Sequence, residues 1–261
     1  MFVWDNKVLL ITGGTRGIGK AIVDELIKKN VKIIIAARSN DELLKIENEF
    51  IKNKDDILLV QADISQESDC KKVIELGYNN FKKIDILINN AGIGLRDKIE
   101  DINDSDLRKV FDINFYGSFY MIKYTIPYFK KQKGGTIVNI CSLGVKRPVP
   151  NTGGYTLSKV SLAYLGDIIR IENSKDNIKV LNVFPGSVET SFRKNALGKE
   201  YPQNEKRLSR LSPSIVAKRI IKGIEKGQKE IYTSNADKIM AIFTRLFPSL
   251  SDYIILKSFK I

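Results

Sequence analysis

Histidine is absent from this chain of 261 residues, and cysteine occurs only twice, at Cys70 and Cys141. Without histidine, the chain lacks the side chain that most often carries protons near neutral pH and most often binds metals, so we predict no metal site. Two cysteines so far apart in sequence are too few for a disulfide scaffold and are typical of a reducing compartment. Disulfide-stapled and histidine-dependent metal proteins are therefore disfavoured.

Long apolar runs are also missing. No uninterrupted apolar stretch approaches the ~18 residues of a membrane-spanning helix. Residues 1–7 lead directly into a short apolar segment and leave no room for a signal peptide. The sequence therefore predicts a cytoplasmic protein.

Acidic residues are few relative to basic ones, 30 against 43, which gives a formal net charge of +13. A basic surface can favour nucleic acid, an anionic membrane or an acidic substrate. The lysines, however, are scattered among isoleucine and asparagine along the whole chain, and no compact basic tract is interleaved with aromatic residues. We therefore predict no nucleic-acid partner.

Apolar segments of strand length alternate with segments of helix length, and 43% of the residues are hydrophobic. This alternation predicts an α/β fold, a doubly wound parallel sheet with helices on both faces. No repeat or low-complexity linker interrupts it, so residues 1–261 are expected to form one domain. The predicted strands lie near residues 7–12, 31–37, 57–62, 84–89, 135–141, 178–184 and 229–233.

A glycine-rich turn follows the first predicted strand, as Gly13-Gly14-Thr15-Arg16-Gly17-Ile18-Gly19, and a helical pattern follows the turn. Strand, glycine turn and helix in this order place backbone N–H groups and a helix N-terminus around the pyrophosphate of a dinucleotide. The spacing Gly-x-x-x-Gly-x-Gly differs from the usual Gly-x-Gly-x-x-Gly. We still predict a nucleotide site here because of the flanking strand and helix.

Tyr155 and Lys159 are four residues apart on a predicted helix, and Ser142 lies thirteen positions upstream. Residues i and i+4 share a helix face, so the lysine ammonium can approach the tyrosine ring. A tyrosine that works near pH 7 requires about 4 kcal/mol of preferential stabilisation of its phenolate. A fixed cation in a partly desolvated site can supply this amount.

Several motifs between about residue 5 and about residue 235 resemble, in their order and spacing, those of the short-chain dehydrogenase/reductase family. They are Thr12-Gly13-x-x-x-Gly17-x-Gly19, Asn89-Asn90-Ala91-Gly92, Asn114, Ser142, Tyr155-x-x-x-Lys159 and Pro185-Gly186. The resemblance implies a Rossmann-type dehydrogenase with a nicotinamide cofactor, and it implies a homodimer or homotetramer.

The resemblance also implies four catalytic residues. Tyr155 would be the general acid in reduction and the general base in oxidation, and Lys159 would lower its pKa and bind the nicotinamide ribose. Ser142 would hold the substrate oxygen. Asn114 would position a water on the proton path to Lys159, and it is also expected to kink its helix.

Cofactor contacts follow from the same resemblance. No acidic residue ends the second predicted strand; Arg38 and Ser39 follow it, and Arg16 lies in the glycine turn. Such cations favour the 2′-phosphate of NADP over the free ribose hydroxyl of NAD, so we predict NADPH, with NAD as the weaker alternative. The predicted contacts are Gly13, Thr15, Arg16, Gly17, Ile18, Gly19, Arg38, Ser39, Asp63, Ile64, Asn90, Ala91, Gly92, Tyr155, Lys159, Pro185, Gly186, Val188 and Thr190.

Two segments outside the shared motifs are expected to decide the substrate. Residues 187–212 are polar and basic, and they correspond to the mobile lid of the family; their cations either meet an anionic substrate tail or are simply solvated. These cations are Arg193, Lys194, Lys199, Lys206, Arg207 and Arg210.

Residues 236–261 form a C-terminal extension in which Ile239, Ile242, Phe243 and Leu246 fall on one face of a helix that Pro248 should end. A second apolar group follows at 254–259. This extension would pack on its own domain, seal an oligomer interface or contact a membrane surface. Membrane contact would favour a lipid-like keto substrate.

The sequence therefore predicts an NADP(H)-dependent oxidoreductase that acts on a small-molecule carbonyl or secondary alcohol. The alternative is a nucleotide-sensing or scaffold protein of the same fold without turnover. Retention of Tyr155, Lys159 and Ser142 favours the enzyme.

Overall fold

The computed structural model describes residues 2–199 and 211–259. Its strands are β1 (Val8–Thr12), β2 (Lys32–Ala37), β3 (Ile57–Gln61), β4 (Ile86–Asn89), β5 (Leu95–Arg96), β6 (Gly135–Ile140), β7 (Ile178–Phe184), β8 (Leu197–Gly198) and β9 (Glu230–Tyr232). Its helices are α1 (Gly17–Leu26), α2 (Asn40–Glu49), α3 (Glu67–Phe81), α4 (Asp104–Phe111), α5 (Gly117–Lys131), α6 (Gly153–Glu172), α7 (Pro213–Glu225), α8 (Asn235–Leu246) and α9 (Pro248–Phe259).

Seven strands form one parallel sheet in the order β3-β2-β1-β4-β6-β7-β9. The chain builds outward from β1 to β3, then returns to place β4 on the other side of β1. The carboxyl ends of β1 and β4 therefore flank the point where the strand order reverses, which is where open α/β sheets bind ligands. The predicted doubly wound α/β fold is confirmed.

The sheet is apolar on both faces because helices cover both of them. Every residue of β1, β4 and the last five of β2 is buried, as expected for central parallel strands. Helices α1, α2 and α7 pack on one face, and α3, α5 and α6 on the other. The two hydrophobic cores hold the strand ends in fixed positions.

Three asparagines form an amide ladder across the sheet. Asn89 on β4 donates to Asn139 on β6 at 2.9 Å, and Asn139 donates to Asn182 on β7 at 3.1 Å. Asn182 in turn donates to the carbonyl of Ala163 on α6 at 2.9 Å. This ladder ties the strands beside the site to the helix that carries Tyr155 and Lys159.

The C-terminal extension forms two helices, α8 and α9, rather than one. The helix predicted to end at Pro248 is confirmed, and Pro248 itself begins α9. The apolar stripe of α8 does not pack on the domain, since Ile239 and Leu246 are 67% and 65% exposed and Ile242 is exposed too. The side chains that are buried are Ala241, Ser251 and Ile255.

No single helix in the described ranges is long and apolar enough to cross a membrane. Helices α8 and α9 pass that test of length and composition only as a pair, and they are bent by 120° where they meet.

Candidate active site

A cavity of about 440 Å³ lies at the carboxyl ends of the central strands. The glycine turn after β1 lines one part of it, the start of α6 another, and the segment after β7 a third. One continuous cavity therefore joins the glycine turn to Ser142, Tyr155 and Lys159. All predicted site residues line it except Gly19 and Asn114, which lie behind its wall.

The glycine turn places an open helix N-terminus at the cavity. Gly13 and Gly17 have φ angles of +66° and +57°, which favour glycine. Arg16 occupies the N-cap position of α1, and no side chain of the described residues caps that end. A Cβ on Gly19 would collide with the Gly13 carbonyl and the Asn90 amide. The turn thus presents uncapped N–H groups that fit an anionic diphosphate.

Asn90 and Thr12 fix this turn to the segment after β4. The amide of Asn90 donates to the carbonyls of Thr12 and Gly13, both at 2.9 Å. The hydroxyl of Thr12 accepts from the backbone N–H groups of Asn90 and Ala91, both at 3.1 Å. The two cavity walls are therefore joined by four hydrogen bonds, which hold their spacing.

Ser142 and Tyr155 line the opposite part of the cavity. Ser142 follows β6 directly, and its Oγ accepts a hydrogen bond from the Gly144 N–H at 3.1 Å. This contact leaves the hydroxyl hydrogen available to a substrate oxygen. Tyr155 lies in the first turn of α6, and its ring packs against Phe192 with centroids 5.6 Å apart.

Lys159 is only 3% exposed and lies one turn beyond Tyr155 on α6. Its Nζ donates to the Ile140 carbonyl at 2.9 Å. Burial disfavours the ammonium and lowers the pKa of Lys159 to about 8. The side chain is still mostly charged at neutral pH, and it loses that charge in a mildly alkaline solution.

Asn114 occupies a π-helical segment, Asp112–Tyr116, between α4 and α5. Its Oδ1 accepts from the Ile93 N–H at 2.8 Å, and its Nδ2 donates to the Ile93 carbonyl at 2.9 Å and to Ser158 Oγ at 3.0 Å. Both amide hydrogens are used, so Asn114 fixes the strand segment after Gly92 to α6. The π segment interrupts the regular α-helix at Asn114, where the sequence predicts a kink, and π segments are frequent at functional sites.

One end of the cavity contains Arg16, Arg38 and Ser39, which the sequence predicts to bind the adenosine ribose. It also contains Glu42, whose carboxylate accepts hydrogen bonds from Thr15 Oγ1 at 2.6 Å and Arg16 Nη1 at 3.2 Å. Asp63 lines the cavity too, but its Oδ1 already accepts from Ser65 N and Oγ. This end therefore combines two arginines with one carboxylate that sequence reasoning did not identify.

The two ends of the predicted lid, residues 187–212, lie side by side. Val188 and Leu211 form a parallel bridge, and Glu189 N donates to the Leu211 carbonyl at 3.0 Å. Between them, β8 pairs with β5. Lys199 pairs with Asp101 at 2.6 Å and does not line the cavity. Of the six lid cations, Arg193 lines it, and Lys206, Arg207 and Arg210 lie outside the described residues.

Sequence reasoning missed several cavity residues because no motif marks them. Ile93, Ile113 and Phe192 add apolar side chains to the cavity lining, and Asn195 adds an amide. Glu42 reaches the glycine turn from α2, 26 positions away from Arg16. The position of Ile93 directly after Asn89-Asn90-Ala91-Gly92 is the one signal that would have found it.

Comparison with known proteins agrees with this geometry. A family model described as short chain dehydrogenase matches residues 7–200. The 11-beta-hydroxysteroid dehydrogenase-like 2 of Arabidopsis thaliana is 32% identical over 256 residues, which cover 96% of this chain and 80% of that protein.

Solved structures share the fold. A short chain dehydrogenase/reductase from Burkholderia phymatum in complex with NAD has a TM-score of 0.87 at 21% identity, and the match covers 96% of each chain. A short chain dehydrogenase from Burkholderia cenocepacia in complex with NADP has a TM-score of 0.83 at 19% identity, covering 98% of this chain and 99% of that one.

Proposed function

This chain belongs to the short-chain dehydrogenase/reductase family of oxidoreductases, which act on CH–OH groups, and we propose that it interconverts a carbonyl compound and its alcohol with NADP(H). The observation that carries the proposal is that Ser142, Tyr155 and Lys159 line the same cavity as the uncapped glycine turn. A bound nicotinamide would supply or accept the hydride. The chain itself supplies the proton and the binding sites.

Tyr155 donates the proton of its phenol to the carbonyl oxygen in reduction and takes it back in oxidation. Ser142 donates a hydrogen bond to the same oxygen, since its Oγ already accepts from Gly144. The ammonium of Lys159 stabilises the phenolate that Tyr155 becomes. Burial of Lys159 strengthens this effect because solvent does not screen its charge.

Asn114 acts as a positioning residue in this proposal. Its amide fixes the backbone at Ile93, beside Gly92, and contacts Ser158, the neighbour of Lys159. Asn114 also holds a water on the proton path from Lys159 to solvent, as the family resemblance implies. This path would return a proton to Tyr155 after each reduction.

NADPH is the preferred cofactor. Arg16 and Arg38 are both exposed at the adenosine end, and the residue that ends β2 is Ala37. Two cations without an acid at the strand end favour a 2′-phosphate over a free 2′-hydroxyl. The solved relatives carry NAD in one case and NADP in another, so direct comparison of both nucleotides is needed.

The substrate is a hydrophobic ketone or secondary alcohol. Ile93 and Phe192 both line the cavity, and the Phe192 ring packs against the Tyr155 ring. Apolar side chains at this place favour a substrate whose reacting carbon is flanked by hydrocarbon groups rather than by charged groups. The hydroxysteroid dehydrogenase name of the Arabidopsis relative supports the same substrate class.

A homodimer would form through α6. Its exposed apolar residues Leu157, Val160, Tyr164, Ile168 and Ile171 follow the three- and four-residue spacing of a helix-packing stripe. A second copy related by a two-fold axis would cover this stripe with its own. Light scattering should therefore give a dimer or tetramer mass, and Ile168→Glu should lower it, whereas a wild-type monomer would contradict the proposal.

The exposed surface of α8 and α9 contacts an anionic membrane surface. Its apolar side chains continue around the bend from Ile239 to Leu250, with Lys238 and Arg245 exposed beside them. Apolar and basic side chains on one exposed helix surface are typical of interfacial helices. The protein should sediment with anionic vesicles at low salt, and a wholly soluble distribution would contradict this contact.

Turnover tests the main proposal. NADPH and NADH consumption is measured with ketones and aldehydes that range from small polar compounds to long-chain keto-lipids. Tyr155→Phe should remove turnover but keep nucleotide binding. Tyr164→Phe is the matched control, because Tyr164 lies on the same helix outside the cavity lining, and phenylalanine keeps the apolar ring that the proposed dimer would cover. Nucleotide binding with no turnover of any compound would favour the nucleotide-sensing alternative.

A further inference from the structure

Glu42 lies in the first turn of α2, where Ser39 caps the helix by accepting from the Glu42 N–H at 3.3 Å. Its carboxylate extends to the glycine turn and accepts from Thr15 Oγ1 and Arg16 Nη1. Glu42 also lines the cavity beside Arg38 and Ser39. A negative charge therefore lies among the groups that would bind the adenosine ribose.

A 2′-phosphate carries nearly two negative charges, so a carboxylate at this position opposes it while an arginine attracts it. A free 2′-hydroxyl is neutral, and it can donate a hydrogen bond to a carboxylate. The Glu42 carboxylate is therefore expected to weaken the binding of NADPH and to strengthen the binding of NADH.

We propose that Glu42 limits the preference of this protein for NADPH by pairing with Arg16, which weakens NADPH binding and supports NADH binding. When NADPH binds, the Glu42 carboxylate competes with the 2′-phosphate for the Arg16 guanidinium and repels the phosphate. When NADH binds, the Arg16–Glu42 pair stays intact, and Glu42 accepts from the ribose hydroxyl. This inference deepens the proposed function and rests on nicotinamide nucleotide binding at this site.

The test uses Glu42→Gln, which keeps the shape of the side chain and an oxygen for Thr15 but removes the charge. Dissociation constants for NADPH and NADH are measured by nucleotide fluorescence. Calorimetry with 2′,5′-ADP and 5′-AMP isolates the adenosine end from the nicotinamide. The substitution should tighten NADPH and 2′,5′-ADP about tenfold and should not tighten NADH or 5′-AMP.

Two further variants separate this pairing from a general change of charge. Glu47→Gln removes the same charge from the same helix, at an exposed position outside the cavity lining, and should leave all four constants unchanged. Arg16→Gln should weaken NADPH binding. In the Arg16→Gln background, Glu42→Gln should lose most of its tenfold gain, since the cation that it frees is gone.

The inference is overturned if Glu42→Gln leaves the ratio of the NADPH and NADH constants within twofold of wild type, or if Glu47→Gln changes it equally. A wild-type protein that binds NADH more tightly would refute the proposed NADPH preference alone, because the shift caused by Glu42→Gln would still be measurable. Binding of neither nucleotide would refute the proposed function and this inference together.

Discussion

Replacing Gly92 by alanine would place a Cβ atom 2.9 Å from Asn114 Oδ1 and 3.2 Å from Lys159 Nζ. The backbone of Gly92 does not have a positive φ, so alanine introduces crowding rather than backbone strain. Neither the Asn114 amide nor the Lys159 ammonium is at the end of a flexible surface side chain that could move aside easily. Asn114 is held by Ile93 and Ser158, and Lys159 by the Ile140 carbonyl.

The magnitude follows from these distances. An ordinary van der Waals contact is 3.4 Å or more, so the Asn114 amide must move by about 0.5 Å. Its bonds to Ile93, now 2.8 and 2.9 Å, would then be long and weak, at a cost of about 1–3 kcal/mol. A shift of this size beside reacting groups lowers kcat by up to about a hundredfold.

The assay compares kcat, the KM for NADPH and the free energy of unfolding in urea. Gly223→Ala on α7 is the matched control, because its Cβ would meet Ile231 and Leu181 at 3.1 and 3.2 Å, outside the cavity lining. We expect Gly92→Ala to lose most of its kcat and Gly223→Ala to keep it. A wild-type kcat in Gly92→Ala would refute the view that Asn114 and Lys159 need their present positions.

Three further predictions use other parts of the structure. Burial lowers the pKa of Lys159 to about 8, so its ammonium loses a proton above that pH. The kcat/KM for reduction should therefore decrease above pH ~8, with a slope that approaches tenfold per pH unit. A kcat/KM that stays constant up to pH ~10 would contradict this. Asn139→Ala leaves the buried Asn89 Nδ2 and Asn182 Oδ1 without their partners in the amide ladder, so the free energy of unfolding in urea should drop by about 2–5 kcal/mol. The exposed Asn79→Ala should leave it nearly unchanged, and an unchanged value in Asn139→Ala would contradict a stabilising role of the ladder. Burial raises the pKa of Cys70 and Cys141 to about 12, so iodoacetamide at pH ~8 should modify neither thiol until denaturant is added, and rapid labelling of the folded protein would disprove it.

The fold was predictable because its pattern is local. Unbroken apolar runs such as Val8–Thr12 can be satisfied only by burial on both faces of a sheet, and the seven predicted strands agree with the observed sheet within a few residues. The glycine turn and the Tyr155–Lys159 pair were predictable for the same reason, since their function depends on fixed spacing along the chain.

Contacts between distant segments were not predictable. Glu42 contacts Arg16 because of how α2 packs beside the glycine turn. Phe192 contacts Tyr155 because of how the predicted lid segment packs against α6. The spacing of Ile239 and Leu246 predicted a helix correctly but not its surroundings, because periodicity defines a face and leaves open what covers it.

The two ends of the cavity differ in how firmly their side chains are held. Asn114 and Lys159 are buried and bonded to backbone carbonyls, so a change at either one disturbs the core as well as the chemistry. Arg16 and Arg38 are exposed at the other end, and the ion pair between Arg16 and Glu42 is a surface contact that costs little to replace. Substitutions at the exposed end should therefore change which nucleotide binds without unfolding the protein, whereas the end proposed to transfer protons should tolerate very few substitutions.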